Sequence, residues 1–153
     1  MKILDIVSPE GVLGNLRAET KEGVLREMAE AAAAGVPSLS AQDLTSILME
    51  RESLGSTGIG DGVAIPHGKV PGLNRLIAVF GRSRTGVQFH SIDGKPAQLF
   101  FLIVAPEQSA GMHLKALARV SRLLKDARFR QDLLAARDAD YLRRVLREED
   151  DRS

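Results

Sequence analysis

A chain of 153 residues has the size of one domain with its own core, and 44% hydrophobic with 27% charged residues excludes a disordered or low-complexity protein. Lys and Arg number 21 against 20 Asp and Glu, a formal charge of +1, so no molecule-wide field favours nucleic acid or an acidic membrane surface. The absence of cysteine excludes disulfides, thiolate metal sites, iron–sulfur clusters and a cysteine nucleophile.

The opening residues, Met1 to Ile6, meet Asp5 and then Pro9 before a signal-peptide apolar stretch can form, which makes the cytoplasm the expected location. The first helical pattern runs over about 21–34, with Val24, Leu25, Met28, Ala29 and Ala32 on one face and Thr20 placed to cap it. Ser40 begins a second, with Asp43 in a shortened capping box and Leu44, Ile47 and Leu48 as the buried stripe. From Gly55 to Gly68 five glycines fall in fourteen residues, which predicts loop and short strand. Residues 75–81 and 98–105 read as strands buried on both faces, Val87-Gln88-Phe89 alternates between them, and Asp93-Gly94 marks a turn.

The longest apolar run, Leu99 to Ala105, is seven residues against the roughly 18 expected of a membrane span. No membrane insertion is expected. Three further helical patterns cover about 111–125, 126–136 and 138–147, and residues 148–153 read as a flexible acidic tail. Helices at both ends of a strand-rich centre predict an α/β single domain over 1–147, with a central mixed β-sheet flanked by helices.

Only three histidines, His67, His90 and His113, are available for imidazole chemistry. Pro66 restricts the backbone beside His67 and Gly68 leaves its other flank uncrowded, a setting that suits a nucleophile and equally a polar surface residue. The loop Gly55 to Gly62 offers glycine N–H groups with the hydroxyls of Ser56 and Thr57, either as a phosphate cradle or as a plain connection; it lacks the lysine and hydroxyl of a Walker A loop. His113 opens a helix, where the dipole favours anions, although a polar residue there is also ordinary. His90 reads as surface or strand edge. The 23-residue spacings of the histidines argue against zinc, and the basic stretch from Arg119 to Arg130, without interleaved aromatics, reads as a solvated face rather than a nucleic-acid surface.

Arg51-Glu52-Ser53 followed by Ser56-Thr57-Gly58-Ile59-Gly60-Asp61-Gly62-Val63-Ala64-Ile65-Pro66-His67-Gly68-Lys69 resembles the fructose/mannitol-type IIA domains of the bacterial phosphoenolpyruvate-dependent phosphotransferase system. The similarity continues through Gly86 to Phe89, Ile92 to Pro96, Leu99 to Pro106 and His113 to Ala118, and is nearest to the nitrogen-regulatory branch. It implies the fold of that IIA type, a phosphotransferase component that accepts phosphate on His67 from an HPr-like phosphohistidine carrier, and His113 as the second active-site histidine. It further implies Arg51 as the arginine beside the phosphoryl group, Ser56 and Thr57 in the adjoining loop, and no bound cofactor or metal. His90 departs from the usual residue type at its position. The expected role is regulation of target proteins through the phosphorylation state, a reading helped by the absence of fused transporter segments; the alternative is a sugar-specific IIA passing phosphate to a IIB partner.

Overall fold

The computed structural model describes residues 1–153. Its element order is a 3-10 turn at Ile3–Asp5, β1 (Val7–Leu13), α1 (Lys21–Ala33), α2 (Ala41–Ser53), β2 (Gly58–Gly60), β3 (Val63–Ala64), β4 (His67–Val70), β5 (Ile77–Val87), β6 (Ala97–Pro106), α3 (Ala110–Leu124), α4 (Ala127–Ala135) and α5 (Ala139–Arg152). The strands form one mixed sheet in the order β1-β5-β6-β3-β2, and β4 also pairs with β6. Pairing is parallel for β1 with β5 and for β3 and β4 with β6, and antiparallel for β5 with β6 and β2 with β3. The expected α/β domain with a helix-covered mixed sheet is the fold observed.

Strand β6 shows why helices must cover both faces. Its Leu99, Phe101, Ile103 and Ala105 point into one core with α3, α4 and α5, while Phe100, Leu102 and Val104 point into a second core with α1 and α2. Alternation along a strand sends successive side chains to opposite faces, so an unbroken apolar run demands two apolar partners. Each large side chain removed from water contributes roughly 1.5–3 kcal/mol, which anchors both layers on this strand. Phe80 meets Phe101 edge to face with ring centroids 5.8 Å apart in one layer, and Phe89 lies 5.4 Å from Phe100 in the other.

The first two helix starts follow their sequence signals. Thr20 Oγ1 accepts from Gly23 N at 3.1 Å and Ser40 Oγ from Asp43 N at 3.1 Å; Asp138, expected inside its helix, instead precedes α5 and accepts on Oδ1 from Tyr141 N at 2.8 Å. Asp61 and Gly62, both at positive φ, form the tight connection from β2 to β3. The Asp93-Gly94 turn is present, with Gly94 at φ +73° and its N–H donating to Ser91 O at 2.9 Å.

Three features differ from the sequence expectation. Strand β1 has no clear sequence signal: Pro9 interrupts its pattern, but Pro is tolerated at a sheet edge, and the register shifts between Val7 and Val12. Strand β5 continues past Gly81 to Val87, carrying the fully buried Arg82. The flexible acidic tail expected over 148–153 is instead helix to Arg152, because Asp150, only 2% exposed, accepts hydrogen bonds from Ile3 N at 3.0 Å and Leu4 N at 2.9 Å and pairs with Arg119 at 3.0 Å.

Candidate active site

β3 and β4 lie end to end along the same side of β6, separated by Ile65 and Pro66. Proline has no N–H to give the ladder, yet its carbonyl still accepts from Ile103 N at 3.0 Å, so the sheet resumes at His67. β2 pairs with β3 and not with β4, which leaves the outer edge of β4 open. There, between the α1/α2 layer and the α3 layer, lies a cleft of about 600 Å³. Ile47, Glu50, Arg51 and Leu54 line it from the end of α2, His67, Gly68 and Lys69 from β4, and Ala110, His113, Leu114 and Leu117 from α3.

Period-two alternation puts His67 and Lys69 on the α3 side of β4, and Gly68 on the α2 side. A Cβ at Gly68 would sit 2.9 Å from Ile47 Cγ2, so the missing side chain is what lets α2 approach closely enough to bring Arg51 to the cleft. The sequence predicts an uncrowded flank beside His67 at Gly68. In the fold, α2 fills that space and the room for a partner lies on the other side of the strand.

His67 Nδ1 lies 2.9 Å from Ile65 O. A carbonyl oxygen only accepts, so Nδ1 carries the proton and Nε2 of the neutral ring keeps its lone pair. The His113 ring stands 5.4 Å from that of His67, centroid to centroid, at an interplanar angle of 65°. His113 is buried, its Nδ1 has no hydrogen-bond partner, and its pKa is pushed below 6.5 by burial first and then by the neighbouring His67 and Lys69. At pH 7 it is neutral. Ser109, which precedes α3, donates its hydroxyl to Pro106 O at 3.1 Å rather than capping the helix, so the first N–H groups of α3 remain open beside Ala110. Arg51 Nη1 donates to Gly55 O at 3.0 Å, which folds its side chain over the end of α2.

His67, His113 and Arg51 therefore meet in one cleft. Ser56 and Thr57 do not line it. Ser56 Oγ donates to Phe89 O at 2.7 Å, and Thr57, 4% exposed, gives both its N–H and its hydroxyl to Glu52. None of Gly55, Gly58, Gly60 or Gly62 lines the cleft either, so the phosphate-cradle reading of this loop gives way to a hairpin. His90, exposed at φ +57°, lies in the turn after Phe89 and away from the cleft lining. Lys69 is the site residue that sequence reasoning passed over; its place two residues beyond His67 in a strand was the available sign.

A nucleophilic imidazole nitrogen, a buried neutral histidine, a guanidinium, an ammonium and an open helix N-terminus form a place where a phosphoryl group can be received. Residues 5–149 match the family "Phosphoenolpyruvate-dependent sugar phosphotransferase system, EIIA 2", and the chain belongs to this family. It is similar to a nitrogen regulatory protein of Bradyrhizobium diazoefficiens, 43% identical over 95% of each chain. It is also 36% identical to the fructose-specific EIIABC component of Bacillus subtilis, over 98% of this chain and 24% of that longer protein. Among solved structures, the nitrogen regulatory protein IIA-Ntr of Neisseria meningitidis superimposes with a TM-score of 0.86 at 32% identity, over 93% of this chain and 97% of that one.

Proposed function

We propose that this protein is a nitrogen-regulatory IIA phosphocarrier of the cytoplasm, which accepts a phosphoryl group on His67 from an HPr-like phosphohistidine carrier and regulates target proteins according to its phosphorylation state. The observation that carries the reading is the Ile65 carbonyl on His67 Nδ1, which leaves Nε2 as the free nucleophilic nitrogen of the cleft. In the transfer, the N–P bond of the donor phosphohistidine breaks as a new N–P bond forms at His67 Nε2, and the donor imidazole leaves with the electron pair. Little covalent chemistry is asked of the protein beyond position and charge stabilisation. Arg51 and Lys69 offset the charge on the phosphoryl oxygens. His113 contributes polarity without a full positive charge, which stabilises the group in transit without trapping it.

The similarity to nitrogen regulatory proteins over almost the whole chain supports the regulatory role. The fructose-specific relative supports a second reading, in which the phosphoryl group passes to a IIB partner of a sugar transporter. Incubation with phosphoenolpyruvate, enzyme I and an HPr-like carrier is expected to place acid-labile phosphate on His67. His67→Ala should abolish that label, whereas His113→Ala should only slow its appearance. Label on His113 with none on His67 would reverse the two roles. Rapid onward transfer to a fructose-type IIB domain would favour the sugar-specific reading.

A further inference from the structure

The Ser56 and Thr57 hydroxyls stand in the segment that resembles an active-site motif, yet face away from the cleft. Their partners give them a different use. The Glu52 side chain, 2% exposed, receives Lys21 Nζ at 2.7 Å, Thr57 N at 3.1 Å and the Thr57 hydroxyl. A buried carboxylate is costly unless paired and hydrogen-bonded, so these three donors hold it to one geometry. Lys21 Nζ also donates to Phe89 O at 3.2 Å and lies 4.8 Å above the Phe89 ring. Ser56 Oγ donates to the same carbonyl and accepts from Gly58 N at 3.0 Å.

Four segments thus converge on one carboxylate and one carbonyl: the start of α1, the end of α2, the connection into β2, and the turn at Phe89. Between the end of α2 and Thr57 lie only Leu54, Gly55 and Ser56. With Glu52 fixed at one end and Thr57 fixed to it, the path of this short connection is set. Its Gly55 carbonyl is the acceptor of Arg51 Nη1. Arg51 is half-buried, and without that acceptor its long side chain would be free to take other rotamers.

We propose that Glu52, clamped by Lys21 and bonded to Thr57, is a positioning residue that sets the Gly55 carbonyl and through it aims the Arg51 guanidinium into the cleft. The use of that aim rests on the phosphoryl-transfer reading; the aim itself does not. Arg51 and Glu52, adjacent in the last turn of α2, divide the work. Arg51 reaches the cleft while Glu52 points inward and holds the loop on which Arg51 leans.

The test uses Thr57→Val, which removes the hydroxyl bond to Glu52 at nearly constant shape, Thr57→Ser, which keeps it, and Glu52→Gln. Two measurements are made: single-turnover transfer from the phosphorylated carrier, with kcat the limiting rate at saturating carrier and KM the half-saturating carrier concentration, and the proton–nitrogen NMR signal of the Arg51 guanidinium. Thr57→Val and Glu52→Gln are expected to lower kcat by about 10- to 100-fold, the scale of a misplaced charge-stabilising group, with KM for the carrier unchanged. Thr57→Ser should restore the wild-type kcat. Added to Arg51→Ala, Thr57→Val should cost nothing further, because the group it positions is gone. The Arg51 signal, distinct and slowly exchanging in the wild type, should move to the position of a free arginine in Thr57→Val and return in Thr57→Ser.

A full further loss of kcat in the Arg51→Ala background, a rise in KM alone, or an unchanged Arg51 signal would overturn the proposal. A wild-type protein that takes no phosphate on His67 defeats the transfer reading instead. The Arg51 signal then decides the positioning role by itself, supporting it if lost in Thr57→Val and overturning it if unchanged.

Discussion

The two histidines of the cleft owe their chemistry to different neighbours. His67 is oriented by one backbone carbonyl, at Ile65, while His113 is governed by burial at 6% exposure beside His67 and Lys69. The unfolded chain binds a proton at His113 near pH 6.5, and the folded chain only at lower pH, so below pH 6.5 the unfolded state holds more protons. Neutral His113 therefore contributes stability that is fully present above pH 6.5 and is lost as pH falls through the folded pKa. Urea midpoints measured on acidification through this window are expected to fall more steeply for the wild type than for His113→Gln. Parallel profiles would show that His113 is not held neutral by the fold. The helix-start position of His113 is legible in the sequence; its burial is not, because that depends on the first turn of α3 lying against β4.

Among the elements, α4 depends on a residue from the middle of the sheet. Arg82 of β5, 1% exposed, donates Nε to Gly14 O at 3.0 Å and Nη1 to Leu133 O at 2.9 Å, to Leu134 O at 3.3 Å and to Ala136 O. The last carbonyls of a helix have no partner within it, and here a single guanidinium serves them. Arg82→Met keeps the length of the side chain and strands these acceptors, so it should lower unfolding free energy by at least about 3 kcal/mol, since each buried unpaired acceptor costs about 1–3 kcal/mol. Arg82→Lys should recover only part of the loss, having no planar fork. A urea-determined change below about 1 kcal/mol for Arg82→Met would mean that water replaces the guanidinium without penalty. The edge of β1 is treated in a similar way: Arg143 of α5 donates to Ser8 O at 2.9 Å and Pro9 O at 3.2 Å, which satisfies exposed edge carbonyls and discourages strand addition.

Across the whole molecule, the two chain ends are clipped together by Asp150. Its carboxylate binds the N–H groups of Ile3 and Leu4, which open the 3-10 turn leading to β1, and Arg119 of α3 donates to the same carboxylate. The helix that supports His113 thus shares a buried ion pair with both termini. Removing residues 148–153 should cost about 3 kcal/mol or more, as expected for breaking a buried charge pair, and Asp150→Asn a smaller part of that. Chemical denaturation of the truncated chain is the measurement. A truncated protein as stable as the full chain would restore the view of this stretch as a dispensable tail.

Elements whose reasons are local can be read directly from the residue pattern. Thr20 and Ser40 cap the helices that they precede, and the apolar run from Leu99 to Ala105 demands cover on both faces. The segment around His67 was legible in part: Pro66 restricts the backbone beside it, whereas the close approach of α2 that Gly68 permits depends on the packing of a distant helix. Features that depend on partners far along the chain emerge with the fold. Strand β1 exists because β5 pairs with it despite Pro9, and Arg82 and Asp150 are buried because distant N–H and carbonyl groups are brought to them. Thr57 turned from a candidate phosphate ligand into a partner of Glu52 for the same reason. A charged or hydroxyl side chain carries no mark of which way it will face. That direction is set by the donors and acceptors the fold places around it, and these lie beyond the range of any local pattern.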